Sequence, residues 1–359
     1  MNTRAEKLRN ARFGSIFSAI SGAIFGAICS FALSTITAGA VEAGESASIV
    51  VYQRVGNPGN SGTNVTLAQF EAHLAELKTG GYSVLPLPDI IAAFREHKPL
   101  PDRTVAITID DGYRSVYAEA WPRLKAAGFP FTVFVATEQI DDASRDFMTW
   151  DEIRALAKAG VTIGSHGTSH LHMTETSAAQ NAAEIRASNA RFMSELGAVP
   201  TVFAYPYGEM SLAARTEVMT AGYVAAFGQH SGVAYAGGDL YFLPRFSFDE
   251  TFGDLERFRI AANALPLPVA DVTPADPLTR VNPPAFGFTV DPSVGALKGL
   301  VCYSASARNL KVEALDARRI EVRADQALAP GRMRINCTMP AQDHRWRWFG
   351  TQLYIEKQH

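Results

Sequence analysis

From Ser48 to about Phe227, short apolar runs alternate with stretches whose apolar residues recur at helical spacing. Ile49-Val50-Val51-Tyr52 reads as a strand, and so does Thr104 to Ile109, TVAITI, since short β-branched runs suit a strand covered on both faces. Between them Leu67, Phe70, Leu74 and Leu77 recur three or four residues apart, which predicts a helix with Thr66 as its N-cap. Val84-Leu85 begins another short run, and Pro88 to Arg95 reads as helix. Farther on, helices are predicted over 113–127, 151–159, 178–196 and 212–221, three of them closed by Gly128, Gly160 and Gly222 in the C-cap position. Strands are predicted over 131–135, 161–164, 202–204 and 223–227.

Repeated strand–helix units imply parallel strands with helices outside, and seven or eight of them close, or nearly close, into a distorted (β/α) barrel, an α/β fold. Chemistry in such a barrel sits on loops that follow the strand C-termini. The polar clusters obey that rule: Asp110-Asp111 follows TVAITI, His166 follows VTIGS, and Tyr207 follows VFAYP.

After about Leu265 the texture changes. Pro266, Pro268, Pro274, Pro277, Pro283 and Pro284 mark 266–292 as an extended linker or wrapping segment. Short strands are predicted around 300–303, 320–323, 333–337 and 349–355, so 293–359 reads as a small C-terminal β-domain beside a main domain over 44–265. In Arg345-Trp346-Arg347-Trp348-Phe349 the two tryptophans share a strand face, which suits packing, with sugar stacking as the alternative.

The N-terminus differs from both. Arg4, Lys7, Arg9 and Arg12 precede an uncharged run from Phe13 to Val41 that ends in small residues. A basic start, an apolar middle and an A-x-A-like end read as a secretory signal over 1–43, with an uncleaved membrane anchor through 13–41 as the alternative. On either reading the remainder is exported, to a periplasmic, cell-envelope or secreted location. Cys302 and Cys337 are the two cysteines outside that segment, and in an oxidising compartment they read as a disulfide, two separate buried thiols being the alternative. With 47% apolar residues the chain can build a core, and a net charge of -3 with no basic stripe argues against nucleic acid as a partner.

Three short stretches carry the chemistry. In Thr108-Ile109-Asp110-Asp111-Gly112, adjacent carboxylates at a strand end point different ways, so one can bind a metal while the other accepts a proton; alone, the pair also reads as a helix N-cap. In Ser165-His166-Gly167-Thr168-Ser169-His170, two imidazoles four residues apart can converge on one cation, whereas two exposed loop histidines are the plainer reading. In Phe203-Ala204-Tyr205-Pro206-Tyr207-Gly208, proline and glycine fix the backbone around Tyr207, whose N–H can face a developing oxyanion, or they make an ordinary turn.

Taken together, TIDDG, SHGTSH and FAYPYG resemble the polysaccharide deacetylase family, carbohydrate esterase family 4, over roughly Ile49 to Phe248. The resemblance implies a distorted (β/α) barrel and removal of acetyl groups from acetylated polysaccharides. It implies Asp110 as general base, Asp111, His166 and His170 as ligands of zinc or another divalent ion such as cobalt or nickel, and Tyr207 as the oxyanion donor. Val50 to Gly56 is similar to the opening strand of the poly-N-acetylglucosamine deacetylases, where a histidine serves as general acid; here the position is Gln53. Glutamine cannot deliver that proton, and acid–base help is worth roughly 10²–10⁴-fold. His230 and His172 are candidate substitutes, and Gln53, Tyr205, Pro206 and His230 are the expected substrate contacts. Ala204 stands where many members carry an arginine that pairs with the catalytic aspartate, so Arg245, in Leu243-Pro244-Arg245, is the expected replacement. Gln53 also motivates a sugar-binding pseudoenzyme as the rival reading, and the motifs alone do not separate exopolysaccharide from peptidoglycan or an O-acetylated glycan.

Overall fold

In the computed structural model, residues 43–307 and 309–357 are described, and the expected export segment lies outside them except for its last residue. Seven parallel strands form the framework: β1 Ser46–Tyr52, β2 Thr104–Ile109, β3 Thr132–Val135, β4 Thr162–Ser165, β5 Val202–Ala204, β6 Ala225–Phe227 and β7 Phe246–Ser247. Their order across the sheet is β7-β1-β2-β3-β4-β5-β6. The sheet curls until its ends meet. Leu243 donates its N–H to the Ala226 carbonyl and accepts from Gly228, at 3.0 and 2.9 Å, and three residues later β7 pairs with β1. The distorted barrel expected from the strand–helix alternation is therefore present, closed by the 243–247 segment.

Every residue of β2 and β3 is buried, because their outer faces are covered by helices and their inner faces fill the barrel. The covering helices include α1 Leu67–Thr79, α2 Leu87–Arg95, α3 Trp121–Ala127, α4 Trp150–Lys158, α5 Ala178–Leu196, α6 Leu212–Thr220 and α7 Leu255–Ala262. Three of them start in capping boxes, Thr66 with Gln69, Thr149 with Glu152 and Ser177 with Gln180, which satisfies first-turn N–H groups. The helix expected over 113–127 differs: a π turn spans Val116–Ala120 before α3 begins, with Pro122 in the first turn of α3.

Two further sheets follow, whose main strands, β8 Val269–Thr273, β9 Phe286–Val290, β10 Val301–Tyr303, β11 Leu310–Ala314, β12 Arg319–Ala324, β13 Gly331–Pro340 and β14 Trp346–Ile355, pair antiparallel, while the short pieces Leu265–Pro266 and Leu278–Thr279 add to β14 in parallel. One has the order β8-β9-β12-β11, and the other runs β14-β13-β10. Phe286, Phe288, Ile320, Met333, Ile335 and Leu353 meet in their shared core. The proline-rich stretch expected as a linker supplies β8 and β9; β8 is an edge strand, where missing N–H donors are tolerated. Cys302 and Cys337 stand opposite each other on β10 and β13 and are joined by a disulfide.

The sheets dock on the barrel through β14. A side chain at Gly350 would lie 1.9 Å from the Ser231 carbonyl oxygen, so only glycine permits this approach. Trp348 packs edge-on against Phe246 of β7, with ring centroids 5.1 Å apart, as expected for packing, while Trp346 stays partly exposed.

Candidate active site

The site is built at the C-terminal ends of the strands. Asp110 and Asp111 follow β2, His166 follows β4, Tyr207 lies just past β5, Gln53 follows β1, and Arg245 sits on the segment that closes the barrel. Asp111, His170 and Tyr207 all adopt left-handed backbone, with φ of 73°, 58° and 59°. Such conformations cost on the order of 1 kcal/mol each and persist only where surroundings enforce them. In the histidine loop the enforcement comes from Glu184 on α5, whose Oε1 accepts from the Thr168 and Ser169 N–H groups and the Ser169 hydroxyl.

Asp111 Oδ1 lies 3.4 Å from His166 Nε2 and 3.2 Å from His170 Nε2, and the two nitrogens are 3.1 Å apart. Burial works against the Asp111 charge, but the two imidazoles outweigh it and hold the carboxyl well below its usual range. Burial likewise opposes a charge on His166, and the aspartates overcome it to raise that ring. His166 Nδ1 donates to the Ala204 carbonyl at 2.7 Å, which leaves Nε2 as the ligating nitrogen. Asp111 Oδ2 accepts from Gln53 Nε2 at 2.9 Å, which turns Oδ1 toward the histidines, where it is buried without a hydrogen-bond partner. One oxygen and two nitrogens converging around such an orphan fit a divalent transition metal.

Asp110 and Arg245 are both fully buried. The guanidinium grips the carboxylate through both oxygens at 2.7 Å and is itself aimed by the Gly228 carbonyl at 2.9 Å. Above these groups opens a cavity of about 500 Å³ lined by Gln53, Asp111, His170, Tyr207, Arg332 and Arg334, among others.

Several expected contacts are not brought to it. Tyr205 is buried against Phe203 and Phe242, and Pro206 is buried beside it, so neither reaches the cavity expected to hold substrate. His230 lines a separate cavity of about 240 Å³ beside Phe242 and Phe349. Burial first, then the charges of Arg334 and Arg245, pushes its ring down to about 3, which leaves it neutral and facing away. His172 stacks on the Tyr207 ring at 3.9 Å and bonds Glu209 at 2.9 Å, which makes it a prop for that ring.

Sequence reasoning missed Glu184, Gln229, Arg332, Arg334 and Gln352. Gln229 Nε2 reaches Asp110 Oδ2 at 3.3 Å, and Gln352 Nε2 donates to the Tyr207 carbonyl at 3.1 Å. No motif marks them. Only the alternation of Arg332, Arg334 and Asn336 with the buried Met333, Ile335 and Cys337 on β13 hinted at a strand with one polar face.

The distorted (β/α) barrel thus carries at its C-terminal mouth a carboxylate–imidazole triad with the donor set for a divalent metal. Residues 97–226, the stretch that runs from just before β2 into β6, match the polysaccharide deacetylase family model, so this part of the chain is similar to that family. The chain is similar to the poly-β-1,6-N-acetyl-D-glucosamine N-deacetylase of Escherichia coli K12, 29% identical over 215 residues. That match covers 48% of this chain and 32% of the relative, so it spans about a third of that protein. In fold the chain resembles IcaB from Ammonifex degensii, at a TM-score of 0.55 and 24% identity, with 62% of this chain and 98% of that one covered. It also resembles the Streptococcus pyogenes deacetylase PplD solved with acetate, at 0.54 and 20%, with 58% and 94% covered.

Proposed function

We propose that this chain is an exported, metal-dependent deacetylase that removes N-acetyl groups from an N-acetylglucosamine-containing exopolysaccharide. The observation that carries the reading is the convergence of Asp111, His166 and His170 beside a second aspartate locked by a buried arginine. The deacetylase domain is the barrel, 44–265, and the sheets that begin with β8, the stretch expected as a linker included, form the accessory β-domain. The polymer class rests on the similarity to the E. coli enzyme, and export on the N-terminal pattern together with the disulfide.

Asp111, His166 and His170 would hold the cation, with zinc the best match to two imidazoles and a carboxylate and cobalt or nickel as alternatives. A cation bound there supplies Lewis acidity and makes water a better nucleophile near neutral pH. The chain's own residues do the rest. Asp110, positioned by Arg245, accepts the proton of the attacking water. The Tyr207 N–H, presented by its left-handed turn, donates to the oxygen that gains charge as the acetamide carbon becomes tetrahedral. The amine that departs needs a proton. Gln53 has none to give and His230 faces elsewhere, so Asp110 returns the one it took.

The test is acetate release from defined N-acetylglucosamine oligomers by purified protein, before and after chelation and after metal restoration. Release that needs the metal is expected; no release with zinc, cobalt or nickel on any acetylated glycan would refute the reading.

A further inference from the structure

The cavity's far wall carries a cation that the proposed reaction does not use. Arg334 lies on β13, which the barrel does not supply, and its side chain is half-buried at the cavity wall. Its Nε donates to Gln352 Oε1 at 2.8 Å and one terminal nitrogen donates to Gln229 Oε1 at 3.3 Å. Both acceptors are neutral amides, which orient a guanidinium without cancelling its charge. Glu209 is already engaged by His172, Thr174 and Arg332, at 2.9, 3.1 and 3.5 Å. Among the described residues no carboxylate lies within ion-pair distance of Arg334. Arg332, two residues earlier and therefore on the same strand face, lines the same cavity and lies over the Tyr207 ring at 5.3 Å.

A cation withdrawn from water is expensive unless an anion meets it. Desolvation, followed by repulsion from Arg332, pulls the Arg334 guanidinium down to about 10, and the attraction of Glu209 offsets this only in part. An arginine held rigid, only partly compensated and facing the reaction cavity is built for a planar anion.

We infer that Arg334, with Arg332 beside it, forms a subsite for a carboxylate on the substrate, so that the preferred glycan is an acidic one in which an N-acetylated hexosamine neighbours a carboxylate-bearing sugar. The inference rests on the deacetylase reading for the placement of the acetamide, and it names the substrate class of that site. The neutral amides of Gln352 and Gln229 preorganise the guanidinium, and the substrate carboxylate completes its pairing as the acetamide reaches Asp110 and the triad.

The test uses the full exported chain loaded with zinc and oligosaccharides alternating N-acetylglucosamine with glucuronic acid, compared with the same oligomers reduced at the carboxyl to neutral hexose. Both acetate release and equilibrium binding are measured. The acidic series is expected to show kcat/KM and affinity roughly ten- to a hundredfold above the neutral one, the value of a charge-assisted bidentate contact. In Arg334→Gln that ratio collapses toward one through KM, and in Arg334→Lys it is partly retained; unchanged melting temperatures exclude misfolding. Equal wild-type values for the two series, or a ratio that survives Arg334→Gln, overturns the subsite. A parallel titration with free acetate separates product capture: if Arg334→Gln weakens acetate but not uronate binding, the arginine serves the product and the inference falls. Acid-selective binding that depends on Arg334, without acetate release from any oligomer, upholds the subsite and refutes the deacetylase reading instead.

Discussion

Asp110 shares both its oxygens with Arg245 in a fully buried ion pair, and that pairing decides what a substitution there does. Asp110→Asn keeps the shape and most of the hydrogen bonding but removes the proton acceptor. Acetate release is expected to fall roughly 10²–10⁴-fold while bound zinc, read by atomic emission, stays near the wild-type level. Unchanged turnover would end its assignment as base. Gln53 acts one step away from the metal, through Asp111 Oδ2. Removing such a supporting hydrogen bond costs roughly 10- to 100-fold in metal affinity, so Gln53→Ala is expected to lose zinc to a chromogenic chelator at correspondingly lower chelator concentration. Affinity equal to wild type would show that the amide merely fills space. At this scale the sequence disclosed the ligand and base candidates, because TIDDG and SHGTSH put the needed atoms at short separations. It did not disclose Glu184 or Gln229, whose partners lie 15 to 119 positions away in the chain.

Among the elements, β13 and β14 matter most to the site, since Arg334 and Gln352 reach it from them. The approach of β14 depends on Gly350, where a methyl group would collide with the Ser231 backbone. Gly350→Ala must push the strand outward, and with it Gln352 and its bond to the Tyr207 carbonyl. A loss of roughly 1–3 kcal/mol in urea unfolding is expected, the range for overpacking a close contact, together with a fall in acetate release. A stable and fully active variant would show that the sheets are passive. The helices were legible from their periodicity and caps, as Thr66 with Gln69 illustrates. The π turn over Val116–Ala120 was not, because hydrophobic spacing does not distinguish i→i−5 from i→i−4 bonding over one turn. Nor was the pairing of β8 and β9, since prolines at strand ends look like a linker when the partner strand is unknown.

For the whole molecule, two buried histidines contribute to the loss of stability in acid. His73 accepts from the Tyr52 hydroxyl and donates to the Gly253 carbonyl, which fixes it neutral, and burial chiefly pushes it down to about 4. His230 falls to about 3 for the same reason. Unfolded histidines titrate near 6.5, so below that value the unfolded chain binds more protons than the folded one. The stability these rings contribute is complete above about pH 6.5 and drains away as the pH falls toward their folded values, each ring losing roughly 1.4 kcal/mol for every pH step of one across that window. Melting temperature is expected to drop steadily from pH 7 to pH 5, with a shallower slope in His73→Asn; identical slopes would remove His73 from this account.

The sequence by itself determined the strand–helix alternation, the two motifs that hold the triad and the spare carboxylate, the candidate partner arginine and the paired cysteines. These follow from local periodicity, from short-range spacing of ligand atoms and from the small number of cysteines. Tertiary structure alone decided that the 243–247 segment closes the barrel and aims Arg245, that Tyr205 and His230 turn into the interior, and that β13 delivers Arg334 to the cavity, where among the described residues no carboxylate pairs with it. Those outcomes depend on which distant surfaces meet and on which polar atoms lose water when they do, and neither is written in the order of residues along one stretch of chain.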